Sequence, residues 1–361
     1  MKYCVLFLLI CCTFCSCNTD QKVTTDAKYW VWMSYNSELD YHGVFKRLQD
    51  IGIDGILFAA SIEQYKEVLP LAEEFDFKIH AWKWVLNRPK KTLIENFPSW
   101  YMVNKKGTSM VNDTMNVPHY KFLCPAVLEV ETFILSEIDE VLALPGIDGI
   151  CMDYLRFPDV ILPEKLQEKY GFIQNREYSF WDYGYHPAMI SKFKAKYDYD
   201  PSELVDPSQD LQWKQFRYDQ ITNLANKIAD KALNANKQVS ATSYASPQLA
   251  LKHVRQEYVK WNLDYVFPMI FSGFYESDGP NWIATCTKEN IESFKNKKTQ
   301  VMPSLFAPTH KTSNLSLPQA MHVVEDAGAD GVAIFSYNSF DDLTTAMLKD
   351  YIETNPFTEN K

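Results

Sequence analysis

Eight short apolar runs, spaced by helix-forming stretches or long loops, constrain this chain's fold more than any other feature. They are "YWVWM" (29–33), "GILFA" (55–59), "KIHAW" (78–82), "GICMD" (149–153), "QVSATS" (238–243), "DYVFPMIF" (264–271), "QVMPSLF" (300–306) and "GVAIFSY" (331–337). Each is brief and rich in β-branched or aromatic residues, the pattern of a strand buried on both faces. Apolar stripes at helical spacing fall between them: Val44, Phe45, Leu48 and Ile51; then Val130, Ile134, Ile138, Val141 and Leu142; then Ile221, Leu224, Ala225, Ile228 and Ala232. Strand–helix alternation repeated about eight times predicts a parallel sheet closed into one (β/α)8 TIM barrel over residues 28–355. An open doubly wound sheet is the alternative. It would place a glycine-rich phosphate turn after the first strand, where the chain has "WMSYNSEL" (32–39).

Three strands begin with a G-x-D-G echo: "GIDGILF" (52–58), "GIDGICM" (146–152) and "GADGVAI" (328–334). The first glycine permits a left-handed helix cap and the aspartate can tie the turn. Asp54, Asp148 and Asp330 are therefore expected to be structural, at the base of the barrel. Two connections are long, 84–125 and 155–215, and both leave the carboxyl ends of strands, where barrel enzymes build their sites. The second carries "YSFWDYGYHP" (178–187), expected to form a binding wall.

The amino terminus belongs to a different physics. Its apolar run from Tyr3 to Phe14 is short for a bilayer and reads as the core of a signal peptide. It ends in "FCSC", similar to a bacterial lipobox with Ser16 before Cys17. The expectation is a signal peptide over 1–17, lipid on Cys17, a polar tether over 18–27, and an exported protein anchored in the cell envelope. Five of the 8 cysteines lie in that leader, leaving Cys124, Cys151 and Cys286, which form neither a disulfide framework nor a zinc pattern. A net charge of -10 argues against a nucleic-acid partner, which needs a basic face.

The stretch "GIDGICMDYLRFPD" (146–159) carries the chemistry. Its apolar strand runs out at Asp153, followed by Arg156 and by Pro158, which ends ladder pairing. An inward carboxylate there is costly unless it is paired, hydrated or used. Arg156 is close enough in sequence to hold that carboxylate or a substrate oxygen. The segment "DGICMDYLRFP" resembles the fourth-strand motif of the glycosyl-hydrolase-like group, the family-10-like glycosylhydrolases. The resemblance extends to "FPSWYMVNKKG" (97–107), "CPAVLEVETFILSEIDEVL" (124–142), "FKAKYDYDPSE" (193–203), "WKQFRYDQITNLANKI" (213–228) and "DYVFPMIF" (264–271), most of residues 29–340. It implies a (β/α)8 barrel acting on glycosidic bonds, with Asp153 as the fourth-strand carboxylate. The chain departs from those relatives at Asp153–Tyr154, where they have Asp-Asp, and at Tyr197–Asp198, where they often have Tyr-Gly.

Glycoside hydrolysis usually needs a second carboxyl group. Candidates are Glu276 and Asp278 after the sixth strand, Asp341 and Asp342 after the eighth, and Glu38 and Asp40 after the first. The last two pairs read as helix N-cap regions. Glu276 is favoured, because strand six faces strand four across the barrel top. Trp32, His80, Trp82, Arg156, Tyr244, Met269 and Tyr337 lie at or near strand ends and are candidates for contacting sugar. No cofactor or metal is implied, since two carboxyls suffice and the histidines lack ligand spacing. The expected function is hydrolysis of an oligosaccharide or polysaccharide. The alternative is a non-catalytic carbohydrate-binding lipoprotein on the same fold.

Overall fold

The computed structural model describes residues 27–113, 117–275, 279–307, 315–354 and 357. Its strands are β1 (Tyr29–Ser34), β2 (Gly55–Ala59), β3 (Lys78–Trp84), β4 (Gly149–Asp153), β5 (Gln238–Tyr244), β6 (Tyr265–Met269), β7 (Gln300–Val301), β8 (Ser304–Phe306) and β9 (Val332–Phe335). β7 and β8 are two pieces of one stave, interrupted at Pro303, which has no N–H for the ladder. Every pairing is parallel, and the pairings β1–β9 and β5–β6 close the sheet into a barrel of eight staves. Each predicted run contributes a strand, within a few residues at its ends.

Helices return the chain from each stave to the next: Tyr41–Ile51, Ile62–Glu74, Leu128–Leu142, Leu211–Asn234, Pro247–Val254, Gly279–Phe294, Leu317–Asp326 and Asp342–Thr354. The three predicted stripes are buried on the helices Tyr41–Ile51, Leu128–Leu142 and Leu211–Asn234. Two apolar compartments follow from strand alternation. A large one lies between sheet and helices. A smaller one fills the barrel with Trp30, Trp32, Leu57, Cys151, Tyr265, Phe267, Met302 and Ala333. Cys151 is thus a core residue, and burial pushes its thiol pKa up. No helix among the described residues is long and apolar enough to cross a membrane.

The G-x-D-G echo has a repeated physical role. Its first glycines, Gly52, Gly146 and Gly328, sit at φ of 96°, 80° and 92°, the left-handed region. The second glycine makes room inside the barrel: a Cβ on Gly149 would lie 2.7 Å from His80 Nε2 and 2.6 Å from the Gln238 carbonyl oxygen. The aspartates between them bind the preceding stave. Asp54 accepts from the Lys28 and Tyr29 amides at 2.8 and 2.9 Å. Asp148 accepts from Ile79 and Asp330 from Val301, both at 2.8 Å. Asp264, outside the echo, does the same to Val239 at 2.8 Å. Four carboxylates therefore clip the staves together in pairs at the amino-terminal end.

Candidate active site

β4 is buried along its length and delivers Asp153 to the carboxyl-terminal end of the barrel, beside Trp84 of β3. The chain then turns at Tyr154, whose φ of 50° is left-handed for a non-glycine residue. That turn brings the Tyr154 amide onto Asp153 Oδ1 at 2.6 Å. Thr242 Oγ1 of β5 donates to the same oxygen at 2.7 Å, and Trp82 Nε1 of β3 donates to Oδ2 at 2.8 Å. Asp153 is 6% exposed, and burial raises its pKa while the three donors and the Arg156 charge act against the rise. Three neighbouring staves thus hold one carboxylate, with three hydrogen bonds among the described residues.

Arg156 does not hold it. Its Nη1 pairs with Asp159 at 3.2 Å and donates to the Phe157 carbonyl at 3.0 Å, and its Nη2 donates to the Tyr120 hydroxyl at 3.1 Å. Tyr120 donates to Asp159 at 2.7 Å, and Tyr244 donates to the same carboxylate's other oxygen. The rings of Tyr120, Phe122, Tyr154 and Tyr244 surround the guanidinium with centroids 5.1–5.5 Å away. Burial opposes the Arg156 charge, and Asp159 with its tyrosine neighbours outweighs that, holding the guanidinium well above its ordinary pKa. The expectation that Arg156 holds Asp153 is corrected on this point: it closes an ion pair within the loop and reaches Asp153 only through its field. Tyr244 is likewise committed to Asp159 rather than facing a ligand.

His80 is also displaced from the mouth. It is 0% exposed, one layer down beside Trp30 and Tyr265, with Nδ1 2.8 Å from Ser240 Oγ. Burial depresses its pKa to about 3, so the ring is neutral and structural. Trp32 is 1% exposed beneath the mouth, with ring edges meeting Trp82 and Phe335 at 5.1 Å each. Trp82 and Met269 are half-buried at the upper layer, and Tyr337 packs on Phe340 at 5.7 Å. Glu276, Asp278 and Cys17 lie outside the described residues. Asp341 caps the last helix through the Thr344 amide at 2.7 Å, whereas Asp40 occupies the N-cap of the first helix without a side-chain bond.

Sequence reasoning passed over Thr242, Tyr154, Asp159, Trp84 and His119. Trp84 lies 4.7 Å from the Tyr154 ring and 6.1 Å from the exposed His119, forming an aromatic rim next to Asp153. The signal for Asp159 stood in the same quoted stretch, where R-x-x-D competes with D-x-x-R for the arginine. A hollow of about 290 Å³ opens at the ends of β1, β2 and β3, walled by Ser34, Ala59, Ala60, Trp82, Lys83, Trp84 and Arg88. The aromatic loop 178–187 is mostly packing. Tyr183 donates to Asp113, and Asp182 is buried between Arg217 and Arg255. Of its rings, Phe180 is 38% exposed. Among the described residues, no three His, Cys, Asp or Glu side chains group as a metal cage.

Solved structures share this architecture at low identity. The glycoside hydrolase domain of PgaB (BpsB) from Bordetella bronchiseptica aligns with a TM-score of 0.54 and 12% identity, over 91% of this chain and 96% of that one. Gan42B, a GH42 β-galactosidase from G. stearothermophilus solved as a catalytic mutant, aligns at 0.62 and 10%, over 92% and 57%. A β-galactosidase from Rahnella sp. R3 aligns at 0.61 and 11%, over 92% and 56%. The chain therefore spans little more than half of those two β-galactosidases, and identities this low speak to the fold alone. No family model and no curated protein matches the sequence.

Proposed function

We propose that this protein is a glycoside hydrolase cleaving an oligosaccharide or polysaccharide at the carboxyl-terminal mouth of its barrel, with Asp153 as nucleophile or base. The observation that carries the reading is the hydrogen-bonded, un-neutralised Asp153 carboxylate, fixed by Trp82, Thr242 and the Tyr154 amide beside indoles that can face a sugar ring. The barrel neighbours include glycoside hydrolases, which agrees with it. Glu276 is the favoured acid. Tyr275, its neighbour in the chain, packs 6.0 Å from Tyr244, the last residue of β5. The leader supports anchoring in the bacterial envelope through lipid on Cys17. Loss of palmitate labelling in Cys17→Ser would test that part.

The test of the activity is release of reducing ends from a panel of glycans by the full chain in detergent. Cleavage lost by more than about a thousandfold in Asp153→Asn and in Glu276→Gln, with unchanged circular dichroism, supports a carboxylate pair. One observation favours a binding protein instead: Asp159, the next acid along the chain from Asp153, is consumed by Arg156, Tyr120 and Tyr244. Glycan binding without cleavage, indifferent to Asp153→Asn, would establish that second reading.

A further inference from the structure

The long segment between β4 and the helix Leu211–Asn234 builds a second concave surface. A groove of about 340 Å³ lies between residues 176–182 and residues 205–208, with Lys105 also in its wall. None of its lining residues bonds Asp153 or lines the hollow beside β3. In one wall the rings of Tyr178 and Phe180 stack 5.3 Å apart and within 7° of parallel. A cation stands at each ring: Arg176 Cζ lies 5.7 Å from the Tyr178 centroid, and Lys106 Nζ lies 5.4 Å from that of Phe180. Lys105 Nζ donates to the Leu204 carbonyl at 2.8 Å, at the start of the other wall, which uses one of its three N–H groups. None of the three cations makes an ion pair among the described residues.

The acids in the wall do not neutralise them. Glu177 is paired with Arg255, and Asp182 with Arg217 and Arg255, both arginines being buried. Asp206 is left, its carboxylate accepting from the Ser208 amide and hydroxyl at 3.0 and 2.6 Å. Three cations against one carboxylate without an ion pair make this groove positive, on a chain whose net charge is -10. Its apolar side chains are unusual too: Phe180 is 38% exposed and Val205 fully so, although both line a concavity. Free cations beside exposed apolar surface suit a ligand that carries anionic substituents and C–H faces together, as an acidic sugar does. Resting on the glycan reading above, we propose that this groove is an accessory site for an acidic oligosaccharide, whose carboxylates or sulfates pair with Arg176, Lys106 and Lys105 while its rings contact Phe180 and Val205.

The test is calorimetric binding to the full-length Asp153→Asn protein in neutral detergent, so that cleavage plays no part. The probes are oligogalacturonate (carboxylate only), its carboxyl-reduced counterpart, a carrageenan oligosaccharide (sulfate only), its desulfated counterpart, and oligoglutamate as an acidic peptide. One charged sugar should bind about tenfold or more tightly than its neutral form, and that probe names the anion. The preference should collapse towards one in the double variant Arg176→Gln with Lys106→Gln, and oligoglutamate should bind no better than the neutral sugars. With Asp153 intact, the same double variant should keep its kcat on any neutral substrate the chain cleaves. A fallen kcat would place these cations in the catalytic mouth and overturn the accessory assignment. Equal binding of charged and neutral sugars, a preference untouched by the double change, or oligoglutamate binding as tightly as the charged sugar overturns the proposal while leaving the glycan reading intact. Binding of no probe overturns it too, and the cleavage panel then decides the glycan reading by itself.

Discussion

Asp153 is held by donors that cannot withdraw, because each is fixed by its own stave. Among the described residues Trp82 supplies the one bond to Oδ2, so Trp82→Phe keeps a ring in place and removes a single N–H. A hydrogen bond to a charged group is worth about 1.5–3 kcal/mol, so kcat on any cleaved glycan should fall roughly 10- to 100-fold. The acidic limb of the pH–rate profile should also move upward, since a donor that lowers the Asp153 pKa is gone. A lowered rate with an unmoved acidic limb would remove Asp153 from the chemistry. Stability carries a second signature. Because the folded-state pKa of Asp153 is raised by burial, the folded chain binds its proton more tightly than the unfolded chain. Stability from this group is thus present below the unfolded carboxyl pKa and is lost as pH rises through the raised value. Wild type should lose ground to Asp153→Asn in urea unfolding as pH increases from about 3.5 to 7. The position of Asp153 was legible, since an apolar run must end where its carboxylate emerges. The partner of Arg156 was not, because the left-handed turn at Tyr154 redirects the chain and no glycine announces it.

The loops after β3 and β4 and the last residue of β5 meet at the Arg156–Asp159 pair, to which Tyr120, Phe157 and Tyr244 bond. This is a buried ion pair with its remaining valences filled, the case in which removing one partner strands a charge. Asp159→Ala should therefore cost about 3–5 kcal/mol, read as a lowered urea midpoint, whereas the double change Asp159→Asn with Arg156→Met should recover part of it. No recovery would mean that the tyrosine contacts, not the charge balance, hold these loops. The loop 178–187 shows why element-level reading stopped short. Its aromatic density predicted a wall, but aromatic rings serve packing and stacking equally, and the deciding partners come from distant sequence. Asp113 takes Tyr183, while Arg217 and Arg255 take Asp182. Nothing local to residues 178–187 encodes those partners.

Across the whole molecule, function and folding are set at opposite ends of the same strands. The carboxyl-terminal mouth carries Asp153, Trp82 and the open hollow, while the amino-terminal base carries the clips Asp54, Asp148, Asp264 and Asp330. The closed fold was legible because strand–helix alternation repeats around the ring and the G-x-D-G echo recurs at three stave starts, and a repeat is a signal that single residues lack. Asp264 escaped because its strand starts without the glycines, although its bond to Val239 is the same. If the clips are independent units, their energies must add. β2 and β6 stand on opposite sides of the ring, so Asp54 and Asp264 share no partner. Each alanine substitution should cost about 1–3 kcal/mol in urea unfolding, as expected for amide bonds to a carboxylate, and the double variant should equal the sum within about 0.5 kcal/mol. Glycan binding or cleavage should be unchanged in both single variants, since neither aspartate approaches the mouth. Costs that exceed the sum would mean that ring closure couples the staves, and altered binding would mean that the base transmits strain through the Trp30, His80 and Tyr265 layer to the site above it.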